Sequence, residues 1–174
     1  GAFIHLVAAI FSEGFHRPDE HLGIITWMTF KAGITPENLL SWEWPAKIRS
    51  WFQPGIYLIL LNFLKLIEIN NPFTIAFFLR LFSAAIGFFS LIYLNHFGLK
   101  LLESNKGKIS YLYVVSFIWF IPFLHVRTSS ENFGISFFLI ALPFLFSESN
   151  DHAWIMTREG KRAYINYLVS GMLL

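Results

Sequence analysis

The sequence predicts an all-α protein, a polytopic transmembrane helical bundle, and three observations lead there. Of 174 residues, 55% are hydrophobic and only 14% are charged, against roughly a quarter charged in an ordinary soluble domain. The apolar residues gather in runs, Phe52 to Ile67, Pro72 to Leu94, Ile109 to Leu124 and Phe133 to Phe146. About 20 helical residues cross about 30 Å of hydrocarbon, and shorter runs thin the bilayer or stay partly embedded. Finally, the runs lack the strict two-residue alternation of a membrane barrel. A helix pairs every backbone N–H and C=O inside the segment, as hydrocarbon demands.

The chain opens on Gly1 and is apolar from Ala2 to Phe11. No small-residue cleavage pattern follows, so this run reads as a truncated first span rather than a signal peptide. Ser12 to Ser50 is the longest polar stretch. Within it, Pro18 with Asp19 and Glu20 predicts a helix start, because proline fits the first turn and acids there complement the dipole. Leu22, Ile25, Met28 and Phe30 form an apolar side suited to lying on the membrane surface, and Gly33 supplies the stop. A second short helix is expected from Thr35-Pro36-Glu37, carrying Trp42 and Trp44, residues that favour the lipid–water interface.

The later loops are short: 69–71, 96–108, 127–131 and 147–162. A further apolar run, Tyr164 to Leu174, ends the sequence. Lys100, Lys106 and Lys108, and then Arg158, Lys161 and Arg162, place two of these loops in the cytoplasm by the positive-inside tendency. Simple parity disagrees: if the runs near 51–68 and 72–95 each cross once, the Lys-rich loop falls on the same side as Ser12 to Ser50. A re-entrant run, a run holding two short spans, or a failure of the charge rule would resolve the conflict. With no cysteine there is neither a disulfide framework nor a thiolate metal site. The formal charge of +2 gives no indication of a nucleic-acid partner.

Three polar clusters carry the candidate chemistry. His16-Arg17-Pro18-Asp19-Glu20-His21 packs two carboxylates, two imidazoles and a guanidinium directly after an apolar run. Capping acids at a helix start are one reading; a catalytic base aimed from a rigid helix start is the other. Metal ligation by His16 and His21 with Asp19 or Glu20 fits the ligand types, but histidines five apart do not share a helical face as the four-apart zinc pattern does. The second cluster, Ser41-Trp42-Glu43-Trp44 with Arg49, Ser50 and Pro54, reads either as an interfacial anchor or as an aromatic floor for a sugar, with Arg49 forking onto phosphate. Arg80 stands alone in an apolar run, as a functional group or a snorkelling one. In the third cluster, Arg127-Thr128-Ser129-Ser130-Glu131-Asn132, a serine at 129 or 130 caps the next span and Arg127 could reach a lipid phosphate.

In their order, these clusters resemble the multi-spanning GT-C mannosyltransferases of glycosylphosphatidylinositol and N-glycan assembly, glycosyltransferase family 22. Arg17-Pro18-Asp19-Glu20-His21 is similar to the family's His-Pro-Asp-Glu motif. Trp42-Glu43-Trp44 with Arg49-Ser50 and Pro54 is similar to its Thr-Trp-Glu-Trp and Arg-Ser segment, and Arg127 to Glu131 to its Arg-Thr-Ser block. Arg17 and Ser41 replace the usual His and Thr, and neither change removes a carboxylate. The resemblance covers roughly residues 12–146 and implies that residues 1–174 are an N-terminal transmembrane fragment of a larger GT-C-like domain. It also implies that 12–50 is a helical first extracytoplasmic loop, facing the lumen of the endoplasmic reticulum or the outside of a bacterial inner membrane.

The implied reaction is transfer of a hexose, usually mannose, from a polyprenyl-phosphate donor to a hydroxyl of a lipid-linked or membrane-associated glycan, with inversion. Asp19 is the expected base and Glu20 the second candidate; His21, Trp42, Glu43, Trp44, Arg49 and Arg127 are the expected substrate-binding residues. A phosphate leaving group needs no divalent ion, so no cofactor is expected, and the partners are the two substrates and membrane lipids, with no nucleic acid. Two other readings share the apolar spans: a transporter or flippase for a lipid-linked sugar, which would not need Asp19, and a non-catalytic membrane subunit, whose sign would be small-residue packing such as Ala84-Ala85 with Gly87.

Overall fold

The computed structural model describes residues 1–15, 17–118 and 120–146; His16, the loop at 147–162 and the final apolar run lie outside them. All regular structure among the described residues is helical. Helix α1 spans Ala2–Phe11. After a short extended stretch, a π-helical segment, Glu20–Ile25, runs directly into α2, Thr26–Lys31. A 3-10 turn at Glu37–Leu39 and a short α3, Glu43–Ala46, complete the polar region. Helices α4 (Phe52–Leu66), α5 (Pro72–Leu101), α6 (Asn105–Phe117), α7 (Phe120–His125) and α8 (Ser130–Phe146) follow.

Local chemistry explains most boundaries. Gly33 ends α2 at φ +72°, and the Ile34 N–H donates back to the Thr29 carbonyl, the closure that a left-handed residue permits. Glu68 makes the same closure at φ +62° after α4 without help from glycine; there the Ile69 N–H reaches the Leu64 carbonyl. Asn71 caps α5, its Oδ1 accepting from the Phe73 and Thr74 N–H groups at 2.9 and 3.3 Å, with Pro72 in the first turn.

Three expectations change. Helix α5 continues past Leu94 to Leu101, because no proline interrupts Asn95 to Lys100 and Gly98 lets Tyr111 of α6 approach closely; the expected 96–108 loop shrinks to 102–104. The expected run from Ile109 to Leu124 is two helices. The break falls at Ile118, where ψ is 101°; Pro122 has no N–H for the Ile118 carbonyl, and its ring crowds that position. The second short helix of the polar region likewise splits, with Trp42 at the N-cap of α3 and Lys47 ending it at φ +53°.

Among the described residues, α5 is the one helix long and apolar enough to cross a membrane, and α1 and α4 are shorter apolar helices. Helix α5 is the hub: α1, α4, α7 and α8 all pack on it. One core cluster joins Ile24 and Met28 of the polar region to Tyr57 and Leu61 of α4, Leu79 of α5 and Phe133 of α8. The helix expected to lie on the membrane surface therefore buries Ile24, Trp27 and Met28 against the protein, while Leu22 stays exposed. Burying each such side chain is worth about 1.5–3 kcal/mol against water. A second cluster joins Ala9, Ala84 and Val126. Small residues on α5 serve this packing: a Cβ at Gly87 would collide with the His125 imidazole, and Ser83 and Ser90 are fully buried.

Candidate functional site

The three polar clusters converge. Asp19 occupies the N-cap position of the π-helical segment, and its Oδ2 lies 3.6 Å from Nη2 of Arg49. Arg49 is gripped at two points by Glu43, Nε to Oε2 at 2.8 Å and Nη2 to Oε1 at 2.9 Å, the forked geometry that fixes a guanidinium plane. Glycine at position 23 makes this possible: a Cβ there would overlap the Arg49 guanidinium. One cation thus sits between two carboxylates, Glu43 as its partly buried holder and Asp19 more exposed beside it.

Arg17 reaches the third cluster, donating from Nη1 to Glu131 Oε1 at 2.9 Å. The Glu131 carboxyl is held below its usual range, first by its own backbone N–H; burial opposes this, and the Ser129 hydroxyl and Arg17 add to the lowering. Ser129 also caps α8, its Oγ accepting from the Asn132 N–H at 3.2 Å. Asn132 in turn donates to the His125 and Arg127 carbonyls at 2.8 and 2.9 Å. Gln53, in the first turn of α4, donates to the Thr128 and Ser129 carbonyls at 3.0 and 3.3 Å and so ties the second cluster to the third.

Two arginines hold the chain entering the site. Arg80 donates to the Ser12 carbonyl and, at 3.1 Å, to the Gly14 carbonyl. Arg127, buried to 7% exposure, points Nη1 at the same Gly14 carbonyl at 3.5 Å and stacks its guanidinium over the Phe123 ring at 4.4 Å. Trp44 sits in an aromatic cluster with Trp27, Phe30 and Trp51 at centroid distances of 5.3, 5.0 and 5.6 Å, and Lys31 lies over the Phe30, Trp44 and Trp51 rings. The Trp44 indole N–H donates to Glu37 at 3.1 Å. Trp42 is 72% exposed.

Two cavities flank the Asp19-bearing helix. One, of about 430 Å³, is bounded by Arg49, Ser50, Gln53 and Ser130 at its polar edge and by Ile24, Phe52, Pro54, Phe133 and Phe137 elsewhere. The other, of about 670 Å³, receives Glu20 and His21. Glu20 is 3% exposed overall, whereas His21 is open to solvent and stacks on Phe15 at 6.0 Å. No group of three or more His, Asp or Glu side chains with metal-binding geometry occurs among the described residues.

A sequence model of the Alg9-like mannosyltransferase family matches residues 2–173. The chain belongs to the Alg9-like mannosyltransferase family. It is accordingly a glycosyltransferase chain of the mannosyltransferase type, from a membrane-associated family that works between a sugar donor and a glycan or lipid acceptor. Comparison with curated proteins and with solved structures gave no match.

Of the residues singled out in this mannosyltransferase, Asp19, Glu43 and Arg49 meet directly, Glu20 and His21 share the larger cavity, and Trp44 and Arg127 contact other elements than Asp19. Gln53 and Gly23 were missed. Gln53 did carry a signal, a lone amide four residues after Arg49 at the start of an apolar run.

Proposed function

We propose that the chain is the N-terminal part of a larger transmembrane glycosyltransferase domain that moves mannose from a polyprenyl-phosphate donor to a hydroxyl of a lipid-linked or membrane-associated glycan, with inversion at the anomeric carbon. The observation that carries this is the placement of Asp19 3.6 Å from Arg49, which with Ser50, Gln53 and Ser130 forms the polar edge of a cavity whose other walls are apolar. A phosphate at that edge leaves its prenyl chain against Phe52, Phe133 and Phe137. Asp19 takes the proton of the acceptor hydroxyl as its oxygen bonds to the anomeric carbon. The bond from that carbon to the phosphate oxygen breaks, and its electron pair leaves with the polyprenyl phosphate, whose charge Arg49 offsets. Glu20 is the second carboxylate at hand. Arg127 and Trp44 support the site by holding the Gly14 carbonyl and the α3 turn, and His21 and Trp42 are the exposed groups available to a sugar.

Multi-pass membrane insertion belongs to the same proposal. Arg80 and Lys100 are about 30 Å apart along α5 at 1.5 Å per residue, which is the thickness of the hydrocarbon core. Arg80 binds the Ser12 and Gly14 carbonyls, where α1 gives way to the polar stretch. One membrane face then lies near Arg80 and the other near Lys100, Lys106 and Lys108. Helix α4 and the first turns of α5 form a hairpin on the Arg80 side with residues 12–50, its exposed Ile59, Phe63, Leu66 and Phe73 suited to the interfacial region. This arrangement satisfies the positive-inside tendency and removes the parity conflict, since α4 no longer counts as a crossing.

The test uses membranes holding the full-length protein and a glycan acceptor extract. Label from polyprenyl-phosphate mannose is expected to reach the glycan with inverted anomeric configuration. Transfer only from a nucleotide sugar, or with retained configuration, would refute the proposal.

A further inference from the structure

The larger cavity contains residues that none of the three motifs includes. Besides Glu20 and His21, its lining has Thr29 from α2, Lys65 near the end of α4, Asn70 in the α4–α5 connection and Ala76 on α5. The polar groups among them are spaced between apolar ones, including Ile25, Met28, Ala76 and Leu79. Such a mixture suits a pyranose, whose hydroxyl edges need donors and acceptors and whose C–H faces need apolar contact. A prenyl chain would take water from the Lys65 ammonium without replacing it and is disfavoured on that ground. The volume, about 670 Å³, lies within the roughly 300–1,000 Å³ of small-ligand sites.

Its position is the second observation. Ile24 faces the Arg49 cavity, whereas His21, Ile25, Met28 and Thr29 face the larger one, so the two spaces lie on different faces of the helix that presents Asp19 at its start. Inversion needs the attacking hydroxyl and the departing phosphate on different sides of the anomeric carbon. The cavity also lies beside the first turns of α5, on the water side of Arg80, where a hydrophilic ligand belongs.

We propose that this cavity binds the glycan of the acceptor, with Lys65 and Asn70 as hydroxyl-binding groups and Glu20 at its floor. The assignment rests on Asp19 as base for its catalytic meaning, while the binding itself can be tested apart from transfer. Full-length protein in nanodiscs is titrated with α-mannobiose and followed by saturation-transfer NMR. Ala76→Trp fills the cavity from α5, and Asn70→Ala removes one polar group with little change in volume. Ala76→Trp is expected to abolish the mannobiose signal and raise the acceptor KM at least tenfold with the donor KM unchanged; Asn70→Ala should weaken binding severalfold. Mannobiose binding unchanged in both variants would overturn the proposal, and so would displacement of mannobiose by free polyprenyl phosphate. If Ala76→Trp fails to fold, Asn70→Ala decides alone. Asp19→Asn should leave mannobiose binding intact. Transfer that survives that change would remove the base assignment without touching the binding result.

Discussion

Replacing Glu43 by glutamine should weaken catalysis through Arg49 rather than through loss of fold. Glu43 accepts from Nε and Nη2 of Arg49 at 2.8 and 2.9 Å, and the two side chains are only 20% and 17% exposed. Glutamine keeps the length but has one acceptor oxygen and no charge, so one of the two hydrogen bonds is lost. A hydrogen bond to a charged group contributes about 1.5–3 kcal/mol, and partial exposure favours the lower half of that range. A loss of about 2 kcal/mol corresponds to roughly 30-fold in kcat/KM. The same change releases Arg49 toward Asp19, 3.6 Å away, and away from the place where a phosphate would sit. Initial rates with polyprenyl-phosphate mannose, measured on protein whose melting is checked in parallel, give the answer. Wild-type kcat/KM in a normally folded Glu43→Gln protein would refute the positioning of Arg49 by Glu43.

Other consequences follow from the same contacts. Gly23→Ala puts a methyl where the Arg49 guanidinium lies and should lower kcat/KM about tenfold or more, with an overpacking cost of about 1–3 kcal/mol visible in the melting temperature. Gly87→Val should destabilise by a similar amount by driving His125 from α5, in thermal melts of protein in detergent. The depressed Glu131 carboxyl stabilises the fold above the ordinary carboxylate range, and this contribution is lost as pH falls through its lowered folded value. Hydrogen exchange near residues 12–17 should therefore rise only at acid pH, and Glu131→Gln should remove that dependence. Because the chain has no cysteine, single cysteines report sidedness cleanly. Lys47→Cys and Asn70→Cys should both react with an impermeant maleimide from the extracytoplasmic side, and Lys106→Cys only from the other; Asn70→Cys reacting on the Lys106 side would show that α4 crosses.

Much of the helical pattern was legible because it depends on local chemistry. Gly33 as a stop, the serine cap before α8 and the apolar runs all follow from single residues or short spacings. Tertiary choices were not legible. The Pro18–Lys31 region has apolar residues all round, so its pattern could not say whether Leu22 or Ile24 faces the core, and α4 decided in favour of Ile24. Arg80 offered lipid or ligand as partners, and the structure gives it two backbone carbonyls of the stretch after α1 instead. Of the site, the acids and Arg49 were readable as types. Their meeting was not, because it depends on a missing side chain at Gly23, and a glycine inside a helix carries no sign of what it admits.

The central claim is that Asp19 accepts the proton of the acceptor hydroxyl. The most direct measurement is single-turnover transfer by the full-length enzyme preloaded with polyprenyl-phosphate mannose, comparing wild type with Asp19→Asn. Asparagine keeps the shape and cannot take the proton. The account predicts a chemical step slowed by about 10²–10⁴ with donor binding retained. Transfer by Asp19→Asn within a few-fold of the wild-type rate would contradict it.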